Sequence, residues 1–184
     1  DQEKKEKFIF NLKTILKQIK QIENLVNEFS DFARMPKPLF KKKNLNEVIK
    51  DNINLVAKID KTVGIKLQNR TSKDIITKFD NEQFNRLFFN LIKNSVESIQ
   101  EKALKDSKID KKIDIEIRLR SDYININLLD TGTGFKNKKT KDLIKPYFTT
   151  KEKGTGLGLS IVDKIISDHN GSIKFLNHKN GAKI

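Results

Sequence analysis

The sequence predicts mixed α and β structure behind a long leading helix, and three observations lead there. Apolar residues from Phe8 to Ala33 recur at heptad spacing. Two runs between Ile113 and Leu128 alternate apolar and polar residues as a hairpin does. A glycine-rich stretch, Lys151 to Leu159, passes directly into a last helical pattern. A chain of 184 residues is long enough for one good core, or for one domain plus an appended helix.

Bulk properties narrow the class. Apolar content is 36% against 34% charged residues, no run approaches the roughly 18 apolar residues that a membrane span needs, and nothing at the start has the layout of a signal peptide. The segment is therefore expected to be cytosolic in character. With no Cys, disulfides and thiolate metal sites are excluded. The formal charge of +14 invites a nucleic-acid reading, but it comes mostly from lysines such as Lys41, Lys42, Lys43, Lys136, Lys138, Lys139 and Lys141, with few Arg and little aromatic interleaving. A diffuse solvated Lys surface explains it better, with attraction to anionic membrane or nucleotide as a secondary effect.

The elements follow in order. Phe8, Leu12, Ile15, Ile19, Ile22, Val26, Phe29 and Ala33 define a narrow helical seam for another helix, and Leu16, Leu25 and Phe32 widen it toward a bundle. Pro36 and Pro38 stop this helix by Met35. An extended piece, Pro38 to Lys42, leads to a helix from Asn44 to Ile59 with Asn44 or Asn46 as N-cap. Val63 to Asn69 and Ile75 to Phe79 read as short strands. Asp80 or Asn81 then caps a helix whose face is Phe84, Leu87, Phe88, Leu91, Ile92, Val96 and Ile99. The hairpin turns around Ser121-Asp122. After a Lys-rich polar stretch and the glycine loop comes a helix with Leu157, Ile161, Val162, Ile165 and Ile166 inward. Ser172 to Leu176 and Gly181 to Ile184 are the closing strands, the last reading as cut short.

Four motifs carry chemistry. Asn90 and Asn94, four apart, share one side of a helix, and a carboxamide oxygen can coordinate Mg²⁺; two solvent-facing Asn would look the same. Asp130-Thr131-Gly132-Thr133-Gly134 ends a strand with a carboxylate able to accept from an exocyclic amine such as that of adenine, and with glycines that let a flat ring approach; an ordinary turn also favours Asp and Gly. Pro146 to Lys151 brings aromatic anchors, two hydroxyls and a cation. Gly154, Gly156 and Gly158, three of the chain's 8 glycines, feed a helix N-terminus suited to phosphate.

In this order the motifs resemble the N, first-glycine, F and second-glycine boxes of the ATP-binding domain of sensor histidine kinases, within the gyrase and MutL ATPase superfamily. The resemblance covers essentially the whole chain. It implies an α/β (α+β) two-layer sandwich, a mixed sheet with helices on one face, preceded by a long N-terminal coiled-coil or bundle helix. Asn27 to Pro38, NEFSDFARMPKP, resembles the segment joining dimerisation helices to the catalytic domain in NtrY-type nitrogen-regulation sensor kinases. It implies that residues 1–35 are the second helix of a dimerisation and phosphotransfer hairpin whose His-bearing first helix is absent. Residues 36–43 are then a linker and 44–184 the catalytic ATP-binding domain, its last strand truncated.

Carried over by residue, Asn90 resembles the Mg²⁺ ligand and Asn94 a polar contact to the metal-phosphate region, with Lys93 between them. Asp130 is similar to the adenine-reading aspartate, with Gly132 and Gly134 beside the base. Phe148, Thr149, Thr150 and Lys151 fall in the F box. Gly154, Thr155, Gly156, Leu157, Gly158 and Leu159 resemble a mobile ATP lid. Thr131 stands where many relatives have Asn. Glu97 stands where some carry a basic group and has no assigned role. His169 and His178 resemble no phosphoacceptor; His169 is expected to cap the last helix.

The resemblance implies ATP and Mg²⁺ as cofactors, a homodimer through the first helix, a response regulator as partner, no nucleic acid, and membrane contact only through segments upstream of a cytoplasmic domain. The reaction implied is γ-phosphoryl transfer to a His outside this chain, so no catalytic residue is assigned here. Two alternatives are a gyrase/MutL-type ATPase, disfavoured because the carboxamide of Asn90 cannot act as its glutamate base, and a non-catalytic dimerisation scaffold.

Overall fold

The structure is a computed structural model that describes residues 2–71, 73–135, 139–149, 151 and 154–184. Thr150, Lys136 and Lys138 lie outside the described residues. The element order is α1 (Gln2–Ala33), β1 (Lys41–Asn44), α2 (Leu45–Ile59), β2 (Gly64–Asn69), β3 (Ile76–Phe79), α3 (Asn81–Ala103), β4 (Lys112–Leu119), β5 (Ile124–Asp130), α4 (Thr140–Leu143), α5 (Gly158–Asp168), β6 (Leu176–His178) and β7 (Gly181–Lys183).

The alternating runs form the expected hairpin. Antiparallel pairing sets Ile113, Ile115 and Ile117 opposite Asp130, Leu128 and Ile126, so one face of β4 and β5 turns inward. The parallel neighbour β2 joins β4 from the other side, which requires a crossover, and α3 supplies it. The sheet runs β2-β4-β5-β7-β6 and is therefore mixed. Helices α2 and α3 pack on it and on each other, and α5 packs on α3. Ile113, Ile115, Ile117, Ile92, Ile99, Leu157, Val162 and Ile165 are fully buried between these layers. Each such side chain contributes about 1.5–3 kcal/mol of transfer free energy.

The two capped helices start where a side chain meets their free N–H groups. Asn44 accepts from Asn46 N–H at 3.0 Å, and Asp80 Oδ1 accepts from the N–H groups of Glu82 and Gln83, both at 3.0 Å. The second oxygen of Asp80 accepts from Leu39 N–H at 2.7 Å, which ties the chain preceding β1 to the start of α3. Burial pushes the Asp80 carboxyl up, but the donors on Gln83, Leu39 and Glu82, with His169 nearby, outweigh it and hold the group below its ordinary value.

Some elements depart from the sequence reading. Ser172 to Leu176 is not a strand; β6 is Leu176–His178, and Ile173 and Phe175 turn inward against the core ahead of it. The closing strand does form, and β7 lies between β5 and β6. Lys41–Asn44 pairs antiparallel with β3 in a separate two-stranded ribbon. Within the Lys-rich stretch, α4 anchors buried Leu143. The heptad seam of α1 is uncovered in the single chain, Phe8, Ile19 and Ile22 each being more than half exposed. At its C-terminal end Phe32, with Met35 just beyond the helix, packs against the core. Among the described residues no helix is long and apolar enough to cross a membrane.

Candidate functional site

Helix α3 carries two adjacent stripes, and each holds a different loop. Ser95, Ser98 and Lys102 recur at spacings of three and four and meet the segment following β5. Asp130 is buried at 4% exposure. Its Oδ2 accepts from Ser95 Oγ at 3.0 Å, while Oδ1 accepts from the N–H groups of Gly132 at 2.9 Å and Ala182 at 3.1 Å. Ser98 Oγ accepts from Thr133 N–H at 2.9 Å and lies 3.1 Å from Thr133 Oγ1. Lys102 Nζ donates to two carbonyls, Thr131 at 3.0 Å and Asn180 at 2.6 Å, and so joins this loop to the turn between β6 and β7.

Glycine is demanded here by close approach. A Cβ on Gly132 would overlap the Ser98 side chain, and one on Gly181 would overlap the Asp130 carbonyl. Thr131 is buried and donates to the Asp110 carbonyl at 2.6 Å while accepting from Lys112 N–H at 3.1 Å, so it fastens the loop to the start of β4. Asn177 Oδ1 accepts from Phe135 N–H at 2.8 Å, and the rings of Phe135 and Phe175 meet edge to face at 5.5 Å. Apart from Asp130 and its glycines, the sequence reading did not find these holders. Serine and lysine on a helix stripe carry no signal until their partners are known.

The second stripe is Asn90, Asn94 and Glu97, and it faces the glycine-rich loop. Asn90 Nδ2 donates to Arg86 O at 2.8 Å, and its Oδ1 lies where a Cβ on Gly158 would come within 3.2 Å. That oxygen therefore stands at the mouth of α5, whose N-cap residue Leu157 makes no side-chain cap hydrogen bond. Lys151 Nζ donates to Asn94 Oδ1 at 3.2 Å and to Glu97 Oε2. Lys93 Nζ is 3.9 Å from Glu97 Oε1 and lies over the Phe89 ring, on the exposed side of this stripe. Lys93 thus stands beside the stripe rather than in the loop contact.

The described residues of the loop are tied locally and to α1. Thr149 Oγ1 accepts from Lys151 N–H at 3.1 Å, and Gly154 N–H donates to Lys151 O at 3.2 Å. Gly156 has φ +73 and Tyr147 φ +64; a Cβ on Gly156 would overlap the Tyr147 backbone. Leu157 is fully buried, Leu159 is half-buried against the core, and Phe148 is half-buried. Two contacts come from α1: Thr155 Oγ1 donates to Glu28 Oε2, and the Phe29 and Tyr147 rings stack with centroids 6.3 Å apart. Gly134 has φ +68 beside Asn177, at the edge of the first loop.

His169 caps α5 as expected. Its Nδ1 bonds the Ile165 carbonyl at 2.8 Å and its Nε2 accepts from Asp80 N–H at 3.0 Å, between the rings of Phe40 and Phe84. His178 is exposed at the end of β6. Among the described residues no group of three His, Cys, Asp or Glu could hold a metal ion. Oxygen donors near α5 come instead from the carboxamides of α3.

Comparison with known proteins shows the family and the fold. Residues 79–184 match the family described as histidine kinase-, DNA gyrase B-, and HSP90-like ATPase. The chain is 34% identical over 164 residues to nitrogen regulation protein NtrY of Azorhizobium caulinodans, covering 88% of this chain and 20% of that protein. It is 31% identical over 181 residues to a putative sensor histidine kinase NtrY-like of Rickettsia felis, covering 98% and 29%. It thus spans under a third of these relatives' length. The nucleotide-free catalytic domain of histidine kinase ThkA superposes with TM-score 0.65 at 29% identity, over 79% of this chain and 91% of that one. Histidine kinase AdeS of Acinetobacter baumannii shares the fold, with TM-score 0.71 at 18% identity over 94% and 80%.

Proposed function

The chain belongs to the histidine kinase-, DNA gyrase B- and HSP90-like ATPase family and carries its ATP-binding domain; from that premise we propose that it positions Mg-ATP for γ-phosphoryl transfer to a histidine outside these 184 residues, in a two-component sensor kinase. Relay then runs to an aspartate of a response regulator. One observation carries the reading: a single helix, α3, bonds Asp130 through Ser95 and faces the mouth of α5 through Asn90 and Asn94.

Asp130 reads the adenine amino group in this proposal. Its Oδ2 accepts one donor, Ser95, and a carboxylate oxygen has room for a second. Gly132 and Gly134, packed against Ser98 and Asn177, lie beside the ring. The phosphates meet the free N–H groups at the start of α5, reached through Gly154, Thr155, Gly156, Leu157, Gly158 and Leu159. Phe148 and Thr149 hold the preceding turn, and Lys151 neutralises phosphate charge. Thr150 falls in the same motif. Asn90 fits a hard cation, because its Nδ2 is engaged by Arg86 O while Oδ1 points toward α5. Mg²⁺ bound there would offset charge on the phosphates; the chain's own residues orient the nucleotide and aim its terminal phosphate outward.

Residues 1–35 act as the second helix of a dimerisation hairpin, 36–43 as linker, and 44–184 as the catalytic domain. The exposed heptad seam of α1 supports a homodimer, with membrane attachment through other segments. The test is a thermal shift with a non-hydrolysable ATP analogue and Mg²⁺, paired with γ-labelled ATP. A raised Tm without label on His169 or His178 is expected. Absence of any shift, or label on either histidine, refutes the reading.

A further inference from the structure

Glu97 has no part in the nucleotide contacts described above. It lies one turn beyond Asn94 on α3, and its Oε2 accepts from Lys151 Nζ. The same ammonium donates to Asn94 Oδ1 at 3.2 Å, so one cation is held by two acceptors of a single helical stripe. Lys93, 3.9 Å from Oε1, is the other cation facing Glu97 among the described residues. The backbone of Lys151 is tied to its own turn, its N–H donating to Thr149 Oγ1 and its carbonyl accepting from Gly154 N–H. Holding the ammonium on α3 therefore holds the beginning of the glycine-rich loop. Both side chains are more than a third exposed, at 36% and 41%, and such a pair opens at small cost.

We propose that Glu97 is a latch for Lys151: without nucleotide its carboxylate keeps the ammonium beside Asn94, and the phosphates of a bound nucleotide compete for it. Glu97 is then a positioning residue that acts through Lys151 and sets how strongly phosphate groups add to affinity. This rests on the reading that the site takes ATP. It predicts that binding passes the Lys151 anchor from Glu97 to the phosphates, exchanging one anionic partner for another.

The experiment measures Mg-ATP and adenosine affinities by calorimetry for the unaltered chain, Glu97→Gln, Lys151→Gln and the double variant. A latch predicts that Glu97→Gln tightens Mg-ATP about three- to fivefold, the size an exposed ion pair supports. Adenosine affinity stays unchanged, and the gain disappears when Lys151 is already Gln. Equal tightening in both backgrounds, as plain removal of a nearby negative charge would give, overturns the latch. Weaker Mg-ATP binding by Glu97→Gln overturns it too. Amide exchange of Gly154 to Leu157 without nucleotide is the second readout, expected to be faster in Glu97→Gln; no change contradicts the proposal. If the unaltered chain binds no ATP, the nucleotide reading fails, while the exchange comparison still decides the latch.

Discussion

The Asp130 loop and the glycine-rich loop rest on neighbouring stripes of one helix, yet they are secured in opposite ways. Asp130 is buried and receives three donors, and Ser98 and Lys102 add four further contacts with loop and turn. Among the described residues, partly exposed side chains meet the glycine-rich loop: an ion pair to Glu97, a hydroxyl contact to Glu28 and a ring stack with Phe29. Buried, fully satisfied networks are rigid, whereas exposed pairs open readily. A site made this way presents a fixed end for a flat base and an adjustable end for phosphates.

The largest effect should come from attacking the fixed end. Asp130→Ala leaves Ser95 Oγ and the N–H groups of Gly132 and Ala182 without their acceptor, at about 1–3 kcal/mol for each group left buried and unpaired. A stability loss of at least about 3 kcal/mol in urea and a loss of nucleotide affinity on the order of a hundredfold are expected together. A variant that keeps its stability would show that the network does not hold the loop.

Gly156→Val strikes the adjustable end. The positive φ and the approach to Tyr147 force that loop to shift, at about 1–2 kcal/mol, while the core is untouched. Affinity for Mg-ATP should fall about tenfold with the fold kept; unchanged affinity by calorimetry would remove the loop from the site.

Asp80→Ala asks whether the contrast belongs to the loops or to the helix beneath them. Loss of this N-cap should lower stability by about 1–2 kcal/mol at neutral pH without altering the ratio of protection between the two loops. In the folded chain the Asp80 carboxyl lies below its ordinary value of 3.8. Its contribution is thus complete above that value and disappears as pH falls through the lower folded one. Urea midpoints of the two proteins should converge on acidification; a gap that persists in acid would mean that the cap does not act through its charge.

The smallest effect is expected from α1. Glu28→Ala with Phe29→Ala should speed amide exchange in Gly154 to Leu157 and change stability by less than about 1 kcal/mol. Exchange that does not move would show these contacts to be idle.

How far this contrast could be read from sequence depends on the distance between partners. Asn90 with Asn94, and Ile113 with Ile115 and Ile117, announce themselves by local period, and Asp80 and Asn44 by their place before apolar runs. The holders of Asp130 do not, because Ser98 meets Thr133 across 35 positions, Ala182 meets Asp130 across 52, and Lys102 meets Asn180 across 78. Glu28 reaches Thr155 over 127. Ile173 and Phe175 alternate as a strand would and are turned into the core, yet the strand begins only at Leu176. Lys41 to Lys43 have no strand-like composition and become a strand because β3 lies alongside.

Amide hydrogen exchange with and without an ATP analogue and Mg²⁺ tests the contrast most directly. The amides of Gly132, Thr133 and Ala182 should be slow in both states, and those of Gly154 to Leu157 fast without nucleotide and slow with it. Equal protection gained by both segments, or rapid exchange at Gly132 and Ala182 in the free chain, would contradict a fixed base end joined to an adjustable phosphate end.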